Sequence, residues 1–338
     1  MEVDEYRRRY SPGVKAIRVE QLGGPEVLRL ADVERPVPGP DDVLIRQTFA
    51  GLNYIDVYVR TGVYPRALPF VPGREGAGAV EAAGSNVTAF RPGMRVAYAE
   101  SPGLGSYAEL VAVPARFCVE IPDGISDEIA GAAMLQGMTA HYLVTDSFGV
   151  STGDRVLVHA AAGGVGRLLV QLAKLRGATV IATAGGPEKC ALAKQAGADH
   201  TIDYRALDFA PEVKRLTGGA GVDVVYDGVG KETWERSLSV LRVRGSFVLF
   251  GAASGPVPPI DPQRLSAAGS VQFSRPTAGH FMRTHGELAE RMNDIFDAIR
   301  GGRLDVRIGK VYALADAAQA HRDLEARATT GKSLFRIT

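Results

Sequence analysis

The chain contains very little cysteine, and its first 140 residues contain no histidine. Only Cys118 and Cys190 occur among the 338 residues. Two thiols are too few for a four-cysteine zinc site, and a cytosolic thiol pair seldom forms a disulfide. A catalytic zinc ion needs converging cysteine, histidine or carboxylate ligands. The segment VPGREGAGAV carries Arg74 where such a ligand would stand, so we predict a protein without a metal.

An excess of charge of one sign is also absent. The chain has 39 basic and 38 acidic residues, which gives a net charge of +1. This balance argues against binding to nucleic acid or to an anionic membrane surface. The sequence has no run of 18 apolar residues and no apolar signal segment after Met1. We therefore predict a cytoplasmic protein with no membrane span.

The pattern of short segments divides the chain into two regions. From Val14 to about Pro122, alternating apolar runs are separated by Pro-Gly pairs, which is typical of an antiparallel, barrel-like domain. From Asp154 to about Ser274, six apolar segments alternate with helical patterns, which predicts a doubly wound parallel sheet. We expect the helices and strands after Arg275 to return to the first domain, and the charged residues before Val14 to form a loose extension.

Two helices are predicted between these regions. The first, SDEIAGAAMLQG, has Ser126 as its candidate N-cap. The second, MTAHYLVTDSFG, is expected to end at Gly149, because glycine accepts the left-handed conformation that commonly follows a helix.

The segment VLVHAAAGGVGRLLVQLAK predicts a strand, a tight glycine turn and a helix. Gly163 and Gly164 allow the backbone to approach a pyrophosphate, and Gly166 allows the helix to pack closely on the strand. Alanine replaces the first glycine of the usual G-x-G-x-x-G pattern. Because the turn follows the first of six predicted strands, we predict a dinucleotide site, with a plain strand–helix turn as the alternative.

The end of the second strand indicates which dinucleotide binds. NAD sites usually place a carboxylate there, but this strand ends in TAGGPEK, without one at its tip. Lys189, Tyr204 and Arg205 offer a cation and a hydroxyl group that suit a phosphate. This pattern favours NADPH over NADH. The alternative is that these residues are an ordinary solvated lysine and a strand-end tyrosine.

A cluster of hydrogen-bonding residues occurs in the segment GLNYIDVYVRTGVYP. Asn53 and Asp56 are three residues apart and share a face of a helix, and Tyr58 and Tyr64 follow. These groups are candidates for lining a substrate cleft. The residues alone support equally well a structural role, in which Asn53 caps the helix and the tyrosines pack in the core.

With these segments, the chain resembles the zinc-free NADPH:quinone oxidoreductases, which are zeta-crystallin-like members of the medium-chain dehydrogenase/reductase superfamily. The similar blocks include MLQGMTAHYLV, VDVVYDGVGKETWERSLSVLRVRGSFVLFG and FSRPT, and the resemblance extends from Val14 to Thr338. It implies an α/β protein with a GroES-like β-barrel catalytic domain, residues 14–138 and 277–338. A Rossmann NADPH-binding domain, with a doubly wound parallel sheet, is expected at residues 139–276.

The resemblance also implies site residues. It places Asn53, Asp56, Tyr58 and Tyr64 in the catalytic group. It implies cofactor contacts from both domains: Asn53, Tyr54, Ile55, Asp56, Thr139, Gly163, Gly164, Val165, Gly185, Lys189, Tyr204, Val229, Phe250, Gly251, Ala252, Phe273, Arg275 and Lys332. Gln136 departs from the pattern, because some members carry lysine there. Members pair as homodimers, and the sixth strand, SVQFS, would be an exposed sheet edge in a monomer.

The expected reaction is hydride transfer from NADPH to a quinone without a metal. Tyr64 would hold the flat ring, while Asn53 and a tyrosine hydroxyl stabilise the charge that develops on the carbonyl oxygen. An enoyl or α,β-unsaturated ketone reductase on the same scaffold is the alternative, since a fold does not determine the acceptor. A second alternative is a non-enzymatic NADPH-binding protein, of a crystallin-like or RNA-binding kind.

Overall fold

The computed structural model describes residues 13–99 and 105–338, and the predicted N-terminal extension lies outside the described residues. The chain forms two compact units. The first contains the described residues up to Leu135, together with Thr284–Met292 and Ile308–Thr338, and the second contains Gln136–Arg283 and Asn293–Arg307. The predicted domain boundaries at 14–138, 139–276 and 277–338 stay a prediction.

The described residues contain strands and helices in an order that changes from mainly β to alternating β and α. The strands are β1 (Val14–Arg18), β2 (Arg29–Val33), β3 (Asp42–Leu52), β4 (Glu75–Ala83), β5 (Arg95–Ala99), β6 (Leu110–Pro114), β7 (Cys118–Glu120), β8 (Arg155–Val158), β9 (Thr179–Ala184), β10 (His200–Asp203), β11 (Val222–Asp227), β12 (Leu241–Leu249), β13 (Gln272–Ser274), β14 (Ile308–Ala313) and β15 (Lys332–Arg336). The α-helices are α1 (Tyr54–Arg60), α2 (Asp127–Tyr142), α3 (Gly164–Leu175), α4 (Pro187–Gln195), α5 (Phe209–Leu216), α6 (Trp234–Ser239), α7 (Pro262–Ala267), α8 (His285–Arg300) and α9 (Ala317–Glu325). None of these described helices is long and apolar enough to cross a membrane.

The first unit is built around the long strand β3. The sheet order is β14-β15-β3-β4-β5-β7, with β6 also paired to β3, and β1 and β2 form a separate ribbon. The C-terminal strand β15 runs antiparallel to β3, with Ser333 opposite Leu52. Ile17, Tyr107 and Phe335 are fully buried in the core of this unit. Apart from the parallel pair β14–β15, the strands of this sheet pair antiparallel, and the predicted GroES-like part of the fold is confirmed.

The second unit contains the predicted parallel sheet. Its order is β10-β9-β8-β11-β12-β13, and all its neighbouring strands run parallel. Val156, Leu157 and Val158 of β8 are fully buried, as expected for a strand covered on both faces. The chain reverses its direction of winding between β8 and β11, and ligands bind such sheets at the carboxyl ends of the strands beside this point. The prediction of six parallel strands is confirmed.

The prediction of two separate helices between the units is wrong. The helix α2 runs through Gly137 without a break and continues into a π-helical turn at Leu143–Ser147. Glycine in a helix interior costs about 1 kcal/mol relative to alanine, but it permits close packing. Ile295 packs there, because a Cβ on Gly137 would lie 3.3 Å from its side chain. The predicted N-cap is confirmed, since Ser126 Oγ accepts a hydrogen bond from the backbone N–H of Ile129 at 3.2 Å.

Candidate active site

The turn between β8 and α3 brings backbone segments into close contact. Gly163 N donates to Ala160 O at 2.9 Å and so closes the turn. A Cβ on Gly166 would overlap Ala160 O and lie 2.8 Å from Ala161 Cα, so only glycine fits there. A Cβ on Gly164 would overlap the Gln136 side chain, which therefore lies against the first turn of α3. The N–H groups at the start of α3 and its dipole suit a pyrophosphate.

The turn after β9 brings together a hydroxyl and a guanidinium group. A Cβ on Gly185 would lie 2.5 Å from Tyr204 Oη and 3.2 Å from Arg205 Nε. Gly186 has a φ of 95°, which favours glycine. The Asp203 carboxylate accepts hydrogen bonds from Gly186 N at 2.8 Å and Arg205 N at 3.0 Å. The first of these bonds is the main cause of the lowered pKa of Asp203.

Lys189 is the third residue of α4, the helix that follows this turn, and it is half-buried. Tyr204 directly follows β10 and is 40% exposed. The structure thus places the predicted phosphate-binding residues on the two segments that follow β9 and β10. A cation and a hydroxyl group at such a turn suit a phosphate monoester.

A buried chain of polar side chains crosses the carboxyl ends of β8, β9 and β11. His159 lies with its Nδ1 2.8 Å from Thr183 Oγ1 and its Nε2 3.0 Å from Ser237 Oγ. Ser237 Oγ donates to the Asp227 carboxylate at 3.3 Å, so it accepts from His159 Nε2–H. Thr183 therefore donates to His159 Nδ1. Burial lowers the pKa of His159, which keeps the ring neutral and the direction of the chain fixed.

Asp227 also fixes the loop that follows β11. Its Oδ1 accepts hydrogen bonds from the backbone N–H groups of Val229 at 2.7 Å and Gly230 at 3.0 Å. Its Oδ2 accepts from Thr233 Oγ1 at 2.6 Å. The buried carboxylate thus satisfies the backbone of a loop that contains the predicted cofactor residue Val229.

The loops after β11 and β12 touch each other through glycine. A Cβ on Gly251 would lie 2.6 Å from Gly228 O, and one on Gly228 would lie 2.9 Å from the Phe250 ring. A Cβ on Gly230 would lie 3.1 Å from Ala252 Cα. The structure therefore brings the predicted cofactor residues Phe250, Gly251 and Ala252 against the loop that carries Val229.

The remaining predicted cofactor residues of this unit lie on separate elements. Thr139 is half-buried in α2, and Val165 is half-buried in the first turn of α3. Phe273, on the edge strand β13, packs edge-to-face on Phe247 with ring centroids 5.1 Å apart. Arg275 follows β13 and is exposed. Roles for these residues in cofactor binding stay a prediction.

In the first unit, Asn53 belongs to a buried, charged cluster. Its Nδ2 donates to Glu75 Oε1 at 2.6 Å, and Lys332 Nζ donates to its Oδ1 at 2.8 Å. Lys332 Nζ also donates to Leu52 O at 3.0 Å and pairs with Glu75. The three donors of the ammonium group are thus used within the protein, and direct contact between Lys332 and a cofactor stays a prediction. Glu75 Oε2 accepts from Leu135 N at 2.7 Å.

A second buried chain begins at Asp56. Its Oδ2 accepts hydrogen bonds from the backbone N–H of Asn53 at 2.9 Å and from Tyr107 Oη at 2.8 Å. Burial raises the pKa of Asp56 to about 6, against the lowering effect of these hydrogen bonds. His321 Nε2 lies 3.3 Å from Tyr107 Oη, and its Nδ1 lies 3.1 Å from Arg60 Nη1. Arginine only donates, so Nδ1 accepts and Nε2 carries the proton.

Arg60 and His321 connect this chain to the C-terminal helix. Arg60 is 1% exposed and forms two hydrogen bonds with Glu325 of α9, at 2.8 and 2.9 Å. Burial, assisted by Arg60, lowers the pKa of His321 to about 3, so the imidazole is neutral at physiological pH. Sequence reasoning missed Glu75, Tyr107 and His321. The signal was weak, because it consisted only of polar residues next to apolar strand and helix patterns.

Three tyrosines in and after α1, namely Tyr54, Tyr58 and Tyr64, form a row of rings outside the buried core. The ring centroids of Tyr54 and Tyr58 are 5.3 Å apart, and so are those of Tyr58 and Tyr64. Tyr58 is half-buried and Tyr64 is 36% exposed, while Ile55 is half-buried beside them. The alternative that Tyr58 and Tyr64 pack in the core is therefore wrong. Such a row of aromatic faces suits contact with a flat ring.

The comparisons with known proteins agree with this architecture. The family model of the alcohol dehydrogenase GroES-like domain matches residues 39–123, and that of the zinc-binding dehydrogenases matches residues 164–297. The sequence is 46% identical to a quinone oxidoreductase of Pseudomonas aeruginosa over 322 residues, which are 95% of this chain and 99% of that protein. The chain belongs to the quinone oxidoreductase family of the medium-chain dehydrogenases/reductases.

Two further relatives of this chain are informative, because one was solved with a cofactor and the other is named for its substrate. A mycobacterial protein, solved in complex with NADPH, has a TM-score of 0.92 and 48% identity, and the match covers 96% of this chain and 100% of that one. A 2-haloacrylate reductase of Burkholderia sp. is 40% identical over 325 residues, 94% of this chain and 97% of that protein.

Within residues 13–99 and 105–338, no group of three His, Cys, Asp or Glu side chains is placed to hold a metal ion.

The close packing at the glycine turn of this family member predicts a strong effect of Gly166→Ala. The added methyl group meets backbone atoms that cannot rotate away, so we expect a loss of about 1–3 kcal/mol in the free energy of unfolding. Gly279→Ala is the control, because a Cβ there has no atom within 4 Å. Urea unfolding of both variants checks this, and equal stabilities would contradict the packing argument.

The buried carboxyl group of Asp56 predicts a pH-dependent stability. Because its pKa is raised in the folded chain from 3.8 to about 6, the folded state loses stability as the pH rises through this range. Asp56→Asn keeps an oxygen that can accept from Tyr107 and from Asn53 N, and it cannot ionise. We therefore expect the variant to gain about 3 kcal/mol over the original chain by about pH 8.

Urea unfolding of the two proteins from about pH 4 to about pH 8 measures this difference. Subtracting the two curves removes the pH dependence that both proteins share and leaves that of the Asp56 carboxyl group. A difference that does not change with pH would show that Asp56 is not held in this way.

Proposed function

We propose that this chain is an NADPH-dependent quinone reductase, which transfers a hydride from the nicotinamide to a quinone without a metal. The observation that carries the cofactor assignment is the turn after β9, where Tyr204 and Arg205 lie against Gly185 and Lys189 follows in α4. The family relationship supports the quinone, because the relative from Pseudomonas aeruginosa is a quinone oxidoreductase.

The second unit supplies the groups that would hold NADPH. The N-terminus of α3, with Gly163 and Gly164, would bind the pyrophosphate. Lys189 and Tyr204 would bind the phosphate on the adenosine ribose. The touching loops with Val229 and Phe250 would contact the nicotinamide end. The relative that was solved with NADPH supports this assignment.

The first unit supplies the groups that would act on the acceptor. Hydride transfer to a quinone builds negative charge on a carbonyl oxygen, and a fixed N–H or O–H donor stabilises that charge. The Asn53 amide is held by Glu75 and Lys332, so it would be such a donor. The rings of Tyr58 and Tyr64 would contact the flat acceptor. The bound NADPH supplies the hydride itself.

A reductase of activated carbon–carbon double bonds is the second candidate. The relative from Burkholderia sp., at 40% identity, is a 2-haloacrylate reductase. Its substrate, like a quinone, is a conjugated acceptor of hydride. The same cofactor site and the same oxygen-binding donor would serve both reactions, so the acceptor has to be found by experiment.

An acceptor screen tests the proposal. NADPH oxidation is followed with 1,4-benzoquinone, with 9,10-phenanthrenequinone, and with activated alkenes, which are a series of 2-enones and a 2-haloacrylate. We expect the quinones to have the highest kcat/KM, in a sample that contains no stoichiometric zinc by metal analysis. Preference for the activated alkenes would support the second candidate, and one zinc per chain would overturn the metal-free mechanism.

The phosphate assignment predicts that Lys189→Ala weakens the binding of NADPH about ten-fold or more. The binding of NADH should stay nearly unchanged. The reason is the loss of a charge-assisted hydrogen bond to the phosphate. Lys194→Ala is a matched control on the same helix, where Lys194 Nζ donates to Asp199 O at 2.8 Å. Dissociation constants of both cofactors, measured by fluorescence titration, give the answer. Equal losses for NADPH and NADH would remove Lys189 from the phosphate site.

The sheet of the second unit also supports a homodimer. Among the described strands, its last strand, β13, pairs on one side only, with β12. Val243 of the neighbouring strand is 68% exposed. An open strand edge is a template for pairing, and a second copy would cover it. Light scattering of the purified chain is expected to give the mass of a dimer, and a monomer would contradict this. A cytoplasmic location and the absence of nucleic-acid binding stay predictions.

A further inference from the structure

We infer that Lys332 and Glu75 are positioning residues that act on the reaction through Asn53. They hold its side-chain amide in one of its two possible orientations. The inference rests on the proposed function, in which the Nδ2 group of Asn53 faces the oxygen of the acceptor. It differs from the resemblance, which implies a direct contact between Lys332 and the cofactor.

The orientation of the amide follows from the charges beside it. An asparagine amide can turn over and exchange its oxygen and nitrogen at almost no steric cost. Here, Lys332 lies 2.8 Å from Oδ1 and Glu75 lies 2.6 Å from Nδ2. An ammonium group only donates and a carboxylate only accepts. The reversed amide would therefore set donor against donor and acceptor against acceptor, so the charged pair selects one orientation.

The sheet places this pair on both sides of Asn53. Asn53 directly follows β3, while Lys332 is the first residue of β15 and Glu75 is the first residue of β4. The strand order β15-β3-β4 makes these two strands the neighbours of β3. Backbone groups also hold each member of the pair, since Lys332 donates to Leu52 O and Glu75 accepts from Leu135 N. The amide is thus held from both sides by anchored groups.

The burial of the pair supports a role other than stability. Lys332 is 1% exposed and Glu75 is fully buried. Removing two charges from water costs several kcal/mol per ion, and apolar residues of similar size often stabilise a fold as well or better. A buried pair that closely surrounds a polar side chain does what an apolar pair cannot, because it distinguishes the two ends of an amide. A donor that is oriented before the substrate binds needs no rearrangement during the reaction.

A double-mutant cycle tests the inference. The variants are Lys332→Met, Asn53→Ala and the combination of both. We expect Lys332→Met to lower kcat with a quinone about ten-fold while the KM for NADPH changes little. In the Asn53→Ala background, the same change should have almost no effect on kcat, because no amide remains to be oriented. Effects that multiply in the combined variant would overturn the inference.

A second variant keeps the test valid if the first folds poorly. Lys332→Met leaves Glu75 charged and unpaired in the interior, so the combination with Glu75→Gln removes both charges. This neutral pair no longer selects an orientation, and it should lower kcat while keeping most of the thermal stability. Asp223→Asn is the control, because it removes a buried carboxylate that is paired with Arg242 in the second unit. If Asp223→Asn also lowers kcat in the original chain but not in the Asn53→Ala background, the cycle reports stability alone and the inference fails.

A readout without turnover separates this inference from the proposed function. The side-chain amide protons of Asn53, identified by comparison with Asn53→Ala, should be protected from exchange with solvent in NMR spectra. The variant with both Lys332→Met and Glu75→Gln should remove this protection, because neither charged group then holds the amide. If the original chain shows protection but reduces no quinone, only the proposed function fails. If the amide is unprotected in the original chain, or if the variant with both Lys332→Met and Glu75→Gln leaves it protected, the inference fails whatever the activity.

Discussion

The second unit depends on a buried chain of hydrogen bonds at the carboxyl ends of its parallel strands. Thr183, His159, Ser237 and Asp227 lie at or beside the ends of β9, β8, α6 and β11, and each satisfies the next. A polar group left unpaired here would cost free energy of folding, so these hydrogen bonds support one another as a network. The glycine turn follows His159, and the loop with Val229 follows Asp227. The loops proposed to hold NADPH are thus anchored by residues that need not touch it.

In the first unit, buried hydrogen bonds between charged groups likewise hold the residues of the proposed site in place. Around Asn53, Glu75 and Lys332 provide one acceptor and one donor. Behind them, Asp56 accepts from Tyr107, and a neutral histidine and a buried arginine complete the row. These networks are expensive to bury, and the structure satisfies them fully around one helix, α1. Asn53 is the N-cap of that helix, which carries the half-buried rings of Tyr54 and Tyr58. Buried polar groups therefore set the geometry of the groups proposed to meet the acceptor.

Local patterns predicted much of the fold and pointed to the turn now proposed to bind the cofactor. The six parallel strands, the glycine turn and the residues proposed to bind the phosphate are all signalled by neighbouring residues in the sequence. The prediction of a helix break at Gly137 was wrong. This glycine makes room for Ile295, which lies far along the chain, so neighbouring residues do not signal its role. Glu75 and Lys332 are 257 residues apart, so only the order β15-β3-β4 brings them to Asn53. Partners that meet through sheet topology leave no local signal.

The most direct test of the account is a crystal structure of the full chain with NADPH bound. The account predicts that the phosphate on the adenosine ribose lies within hydrogen-bond distance of Lys189 and Tyr204, at the turn after β9. It also predicts the pyrophosphate at the N-terminus of α3. A phosphate that points into solvent away from this turn, or a different ligand such as a flavin in its place, would contradict the central claim.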